Sequence, residues 1–326
     1  MKSRRVLVLH SDIAPDAPPD ELDTLYQADA IVDALKATGH APSRGIFVED
    51  EDALRRLLDA HAADAIFNLV ESIDGSGVLA ARVPRLFERI GIPYTGAGSD
   101  ELELTGDKSR AKSLIREASL PTPDWSEPPS WIGLSDGIRY IVKSSLEDAS
   151  LGLDDASVVD SADGVRERAM LCTEKFGGRW FAEAYVEGRE FNVAVLETNA
   201  KPHVLPLAEM TFQEWQRGRP RIVGYKAKWD DDSFESTRTV RAFGVEDAEQ
   251  GLAAELRDLA IRTWNVLGLS GYVRIDFRVD TGGRPTILEV NPNPCLSPDA
   301  GFAAAAERAG ISYPKLIEQI LAASLE

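Results

Sequence analysis

Arg274, Asp276, Glu289 and Asn291 lie in two apolar runs that flank Thr281-Gly282-Gly283. Runs rich in Val, Ile, Phe and Leu around a Gly-containing turn read as a β-hairpin. Side chains alternate faces along a strand, so Arg274 and Asp276 share a face of theirs, and Glu289 and Asn291 share a face for the same reason. A turn centred on Gly282 and Gly283 sets Asp276 opposite Glu289 and Arg274 opposite Asn291, with cross-strand partners about 5 Å apart. One guanidinium, two carboxylates and a carboxamide oxygen then converge. Hard oxygen donors of this kind suit Mg²⁺, which is commonly held by one or two carboxylates plus substrate phosphates. A solvent-facing hairpin with cross-strand ion pairs stays open as the plainer reading. The Asn291-Pro-Asn-Pro294 exit favours a built site, because two X-Pro steps stiffen the chain there.

The whole chain bounds what such a site serves. Its 326 residues are enough for two or three domains. A formal net charge of −18 argues against nucleic acid or an anionic membrane as main partner, since both need a basic footprint. Two cysteines, Cys172 and Cys295, make no disulfide framework and have no zinc-site spacing, which fits a reduced cytoplasm. No apolar run approaches the roughly 20 residues of a membrane span. The opening Met1–His10 segment reads as a first strand and not as a signal peptide.

Strand and helix patterns alternate through residues 5–98. Strands are expected at 6–9, 45–48 and 64–69, and helices at 25–38, 51–62 and 78–90. That order implies a parallel, doubly wound α/β sheet. Beyond it, a helix at 107–117 precedes a Pro-rich connection. Strands are expected at 139–143, 180–186, 191–196 and 203–208, and helices at 165–176, 248–266 and 313–325. Residues 145–152 and 211–238 read as loops, the second long enough to be functional or mobile.

Further polar residues punctuate these elements. Lys108 opens a helix, Lys143 ends a strand, and Lys228 sits in the long loop. Glu183, Val186 and Glu190 flank the Glu187-Gly188 step between two strands. Lysines at strand ends serve well as compact charges for phosphate. Each, taken singly, also reads as a solvated surface residue.

In this order the motifs resemble the ATP-grasp superfamily and, within it, the D-alanine–D-alanine ligase group. The resemblance rests on Ile92-Pro-Tyr-Thr-Gly-Ala-Gly98, Asp107-Lys108, Glu187-Gly-Arg-Glu-Phe-Asn-Val193, Arg274-Ile-Asp276 and Glu289-Val-Asn291. It implies an N-terminal domain at 1–98, a central ATP-grasp subdomain at 99–187 and a C-terminal one at 188–326, the latter two α+β and clasping ATP. It also implies an ADP-forming carboxylate–amine ligase working through an acyl phosphate on small-molecule substrates. Lys108 and Lys143 would contact ATP phosphates. Glu183 and the Val186 backbone would hold adenine, and Glu190 the ribose. Lys228 would cover the γ-phosphate. Asp276, Glu289 and Asn291 would bind Mg²⁺, as two ions, with Mn²⁺ as the alternative. Arg274 would steady charge on the reacting carboxylate, and Ser150 and Gly152 belong where a phosphate-covering loop occurs. A homodimer stays open.

The chain departs from the group at both substrate ends. The group's Gly-Gly-x-Ser-x-Glu segment is replaced by His10-Ser-Asp-Ile-Ala-Pro, leaving Asp20 or Glu21 as stand-ins for its Glu. Cys295-Leu-Ser-Pro-Asp299-Ala-Gly301 replaces the acceptor-binding run, and Trp229 stands where Tyr is usual. Altered substrates are therefore expected. Asp299 either meets the acceptor or caps the next helix. Cys295 reads as pocket lining before it reads as a nucleophile. Ligation of a non-amino-acid substrate, or an ATP-binding regulatory role, are the competing functions. Without its cation, the carboxylate cluster is expected to be destabilising.

Overall fold

The computed structural model describes residues 2–73, 75–147 and 150–325. Its first sheet is parallel, with Arg5–His10 between Ala41–Ile46 and Ala65–Leu69. The alternation of the first strand decides what covers each face. Val6 and Val8 point to a core with Ala28, Ile31 and Leu35 of helix Pro19–Ala37 and with helix Tyr313–Ala323. Leu7 and Leu9 point to the other, with Leu54 and Leu58 of helix Glu51–His61 and Leu86 of helix Arg82–Ile90. The sheet is thus doubly wound, as the α/β alternation implies.

Two antiparallel sheets follow. A four-stranded one is ordered Trp125–Ser126, Trp180–Ala184, Tyr140–Ser144, Val158–Val159, with helix Ala162–Phe176 packed on it. A six-stranded one centres on Gly188–Thr198, which pairs with Ala208–Phe212 on one side and the Tyr272–Asp280 strand on the other; Pro285–Asn291 closes the hairpin. Helix Gln250–Leu267 covers one face of this sheet through Leu256, Ala260 and Trp264.

The hairpin register matches expectation where it matters: Arg274 pairs with Asn291 and Asp276 with Glu289. Nearer the turn it slips by one, so that Phe277 pairs with Ile287 and Leu288 is a bulge. Such a bulge bends and twists the strand locally beside a site. The long loop also differs from its plain reading. It contains short helices at Tyr225–Trp229 and Phe234–Arg238 and runs into a strand at Thr239–Ala242. A helix not read from the sequence, Ser99–Gly106, precedes Lys108, and the helix expected after Asp299 is Gly301–Arg308.

Candidate active site

A cleft of about 2040 Å³ runs between the two antiparallel sheets and reaches the N-terminal lobe. Lys108, Lys143, Glu183, Val186, Glu190 and Lys228 all line it, as do Ser150, Arg274, Asp276, Glu289 and Asn291. The residues singled out from sequence therefore share one cavity, although they come from elements nearly 200 residues apart.

Glu183 is its most buried carboxylate, 1% exposed, and lies between Lys143 Nζ at 2.5 Å and Lys112 Nζ at 2.7 Å. Burial pushes its carboxyl up, but the two lysines outweigh this and hold it below the ordinary range. Lys112 also donates to Thr122 Oγ1 at 2.8 Å. Lys112 was not anticipated from sequence. It lies one turn after Lys108 in helix Lys108–Glu117, on the side of the buried Ala111 and Ile115, and that shared face was the available signal.

Lys108 is held at the helix start, where Asp107 caps by accepting from the Ser109 and Arg110 amides. Its Nζ donates to the Glu147 carbonyl at 2.9 Å. Asp148 and Ala149, inside the 145–152 loop, lie outside the described residues. Ser150 donates to the Val223 carbonyl at 3.1 Å, which joins this loop to the long one. Gly224 fits the same seam, since a Cβ there would stand 2.6 Å from the Leu153 carbonyl oxygen.

The hairpin supplies the acidic corner. Arg274 grips Asp276 with both ends of its fork, at 2.8 and 2.9 Å, and Asn192 donates to Asp276 from the neighbouring strand at 2.9 Å. Asn291 accepts from the Asn293 amide at 2.9 Å. At Glu289 burial raises the pKa, yet Lys108, Lys143, Lys228 and Arg274 together bring it down to about 2. The expectation that this carboxylate cluster destabilises the cation-free protein is therefore corrected at Glu289: four side-chain cations already stabilise its charge. Lys228 feels the reverse balance. Burial and Arg274 lower its pKa, against Glu289, Asp276 and Glu190. Glu190, 8% exposed, is raised by burial despite Arg278 at 2.8 Å. Arg278 was also missed, though it continues the face of Arg274 and Asp276.

At the far end, Cys295 donates its thiol to Asp23 at 3.1 Å, and Ser297 donates to the same carboxylate at 2.8 Å. Burial, then Asp23, push the thiol up, so it is no ready nucleophile. Asp299 does not cap helix Gly301–Arg308, which has Ala300 at its N-cap and no side-chain cap. Asp299 instead borders the cleft and offers its carbonyl to Arg241 at 3.4 Å. Asp20 accepts from Tyr225 of the long loop at 3.0 Å, while Trp229 lines the cleft.

Residues 134–322 match the family described as the D-ala D-ala ligase C-terminus. The chain belongs to the D-alanine–D-alanine ligase family. It is 31% identical to the uncharacterized protein y4sG of Sinorhizobium fredii, across 93% of this chain and 89% of that one. A D-alanine–D-alanine ligase of Actinobacillus succinogenes is 29% identical, across 100% and 99%. Among solved structures, D-alanine–D-alanine ligase from Bacillus anthracis, complexed with ATP, superposes with a TM-score of 0.74 at 18% identity, across 99% and 98%. The fold is thus that of the ATP-grasp ligases. The chain is an ATP-dependent, ADP-forming ligase of carbon–nitrogen bonds. No helix among the described residues is long and apolar enough to cross a membrane.

Proposed function

We propose that this chain activates a small carboxylic acid with ATP and joins it to an amine, with substrates other than two D-alanines. The carrying observation is that Lys108, Lys143, Lys228 and Arg274 line one cleft with Asp276, Glu289 and Asn291. A carboxylate is a poor electrophile, and phosphorylation converts it to an acyl phosphate that an amine can attack. Lys108, Lys143 and Lys228 would bind and orient the phosphates as fixed charges, which is most of what phosphoryl transfer asks of a protein. Arg274 would leave Asp276 to hold the oxygen of the reacting carboxylate. Glu183, the Val186 backbone and Glu190 would bind adenine and ribose. Ser150, together with the long loop it joins, would exclude water from the acyl phosphate.

The oxygen donors of Asp276, Glu289 and Asn291 fit Mg²⁺, in one or two ions. Few enough protein ligands are present to leave positions for phosphate oxygens. Bound there, Mg²⁺ would offset phosphate charge. The altered substrate ends support altered specificity: Asp299 beside the acceptor end, and Cys295 and Ser297 tied to Asp23. We further infer action in the cytoplasm without nucleic acid or membrane, on the strength of the −18 charge and two free cysteines. A homodimer is testable by light scattering.

The test is ADP release measured with ATP and Mg²⁺, with pooled amino acids supplied as both acid and amine. Release that depends on the pool, and is lost in Lys228→Ala, is expected. ATP binding without any release under every pool would instead support the regulatory reading. Release with D-alanine alone matching the full pool would overturn the altered specificity.

A further inference from the structure

Arg278 is a buried arginine, 3% exposed, at the meeting point of three parts of the cleft. Its first contact is Glu190, at 2.8 Å across paired strands, for Arg278 and Glu190 stand opposite each other in the register. Its second is the Gly188 carbonyl at 3.2 Å, in the connection that carries Val186. Its third is the Arg221 carbonyl, in the long loop. Its guanidinium also lies over the Tyr185 and Phe212 rings, 5.7 and 5.9 Å from their centroids.

These partners mark the root of the long loop. Phe212 ends the strand from which that loop departs, and pairs with Thr239, where it returns. Tyr185 closes the same point a second way: its hydroxyl donates to the Arg221 carbonyl at 3.2 Å and accepts from the Arg221 amide at 2.9 Å. Beyond Arg221, the loop carries Val223, which accepts from Ser150, then Lys228. A guanidinium has donors for several acceptors in one rigid plane, so a single side chain can hold a carboxylate and two carbonyls in fixed relation.

We propose that Arg278 is a positioning residue that ties the root of the 213–238 lid to the nucleotide floor, so that occupancy at Glu190 and placement of Lys228 are coupled through it. The inference rests on the cleft being the ATP site. A ribose hydroxyl donating to Glu190 shares that carboxylate with Arg278, and any shift of the guanidinium is passed to the Arg221 carbonyl.

The test combines calorimetry of ATP with Mg²⁺ and amide hydrogen exchange of residues 213–238, with and without nucleotide. In the native protein, nucleotide is expected to slow exchange across the lid. Arg278→Met should bind ATP about tenfold more weakly, the scale of a lost charged hydrogen bond, and lose that protection. Arg278→Lys keeps a charge for Glu190 but cannot fork to both carbonyls. It should hold ATP within about threefold of the native affinity while still losing lid protection, and it keeps the proposal testable if the Met variant fails to fold. Native binding with full lid protection in Arg278→Lys would overturn the coupling and leave the ATP site standing. Absence of ATP binding by the native protein would overturn both.

Discussion

At Glu289, burial and four neighbouring cations pull in opposite directions, and the cations prevail. Its folded pKa, about 2, lies below the ordinary 4.5, so its ionised form favours the folded state. That contribution is fully present above the unfolded value and fades as pH falls from about 4.5 towards 2. Glu289→Gln should therefore lower stability near neutrality, and the gap from the native protein should close in acid; urea titrations at several pH values measure it. Glu183, held below its ordinary range by Lys112 and Lys143, is buried together with both partners. Lys112→Met removes one of its two cations and should cost about 3–5 kcal/mol, the range for breaking a buried pair. Adding Glu183→Gln to that variant should recover part of the loss, read as a coupling energy in denaturant unfolding. The metal candidates were legible in sequence because they alternate along strands, and Lys143 because it ends one. Lys112 and Arg278 carried only the weaker signal of a face shared with neighbours, because a lysine in a helix or an arginine in a strand ordinarily reaches water, and tertiary packing is what buries them.

Among the elements, the Gly188 connection is the most constrained. Its φ is +154°, and a Cβ there would stand 2.0 Å from the Val279 carbonyl oxygen. The neighbour is backbone in a central strand and cannot swing aside. Gly188→Ala should thus cost roughly 3 kcal/mol or more, at the upper end for single substitutions, and chemical denaturation would show it. Hairpin pairing at Arg274 and Asp276 was readable from the turn alone. The Leu288 bulge was not, because inserting one residue leaves the apolar pattern nearly intact while shifting the pairs beside the turn. The long loop concealed its helices for another reason: two five-residue helices are too short to set up a periodic stripe, and tertiary contacts hold them, Tyr225 to Asp20 and Leu153, and Phe234 to Trp215.

Across the molecule, the apolar cores do not follow the chain's order. One joins Val6, Val8 and Phe67 of the first sheet to Phe302, Ile317 and Leu321 from the last two helices, with Tyr272 of the hairpin. The proposed boundary at residue 98 passes through this shared core. A fragment of residues 1–98 would leave one face of its sheet partly uncovered and should bind a hydrophobic dye and lack a sharp thermal transition, whereas the full chain should melt with the N-terminal lobe included. Near-ultraviolet circular dichroism of both would decide it. Alternating strands and helices disclosed the lobe itself; nothing local in the sequence could disclose that its cover comes from residues 300–325.

The Arg274–Asp276 clasp bears on what the cleft would accept. An acidic corner left bare would collect any divalent ion. Here a tethered guanidinium already satisfies both Asp276 oxygens, so a lone ion must evict it and gains little. A nucleotide changes the exchange, because its phosphates offer the neighbouring lysines and the displaced arginine new anions. On the proposed metal role, ion and nucleotide would therefore enter together. Calorimetry should register little heat from Mg²⁺ alone and a clear signal once ATP accompanies it.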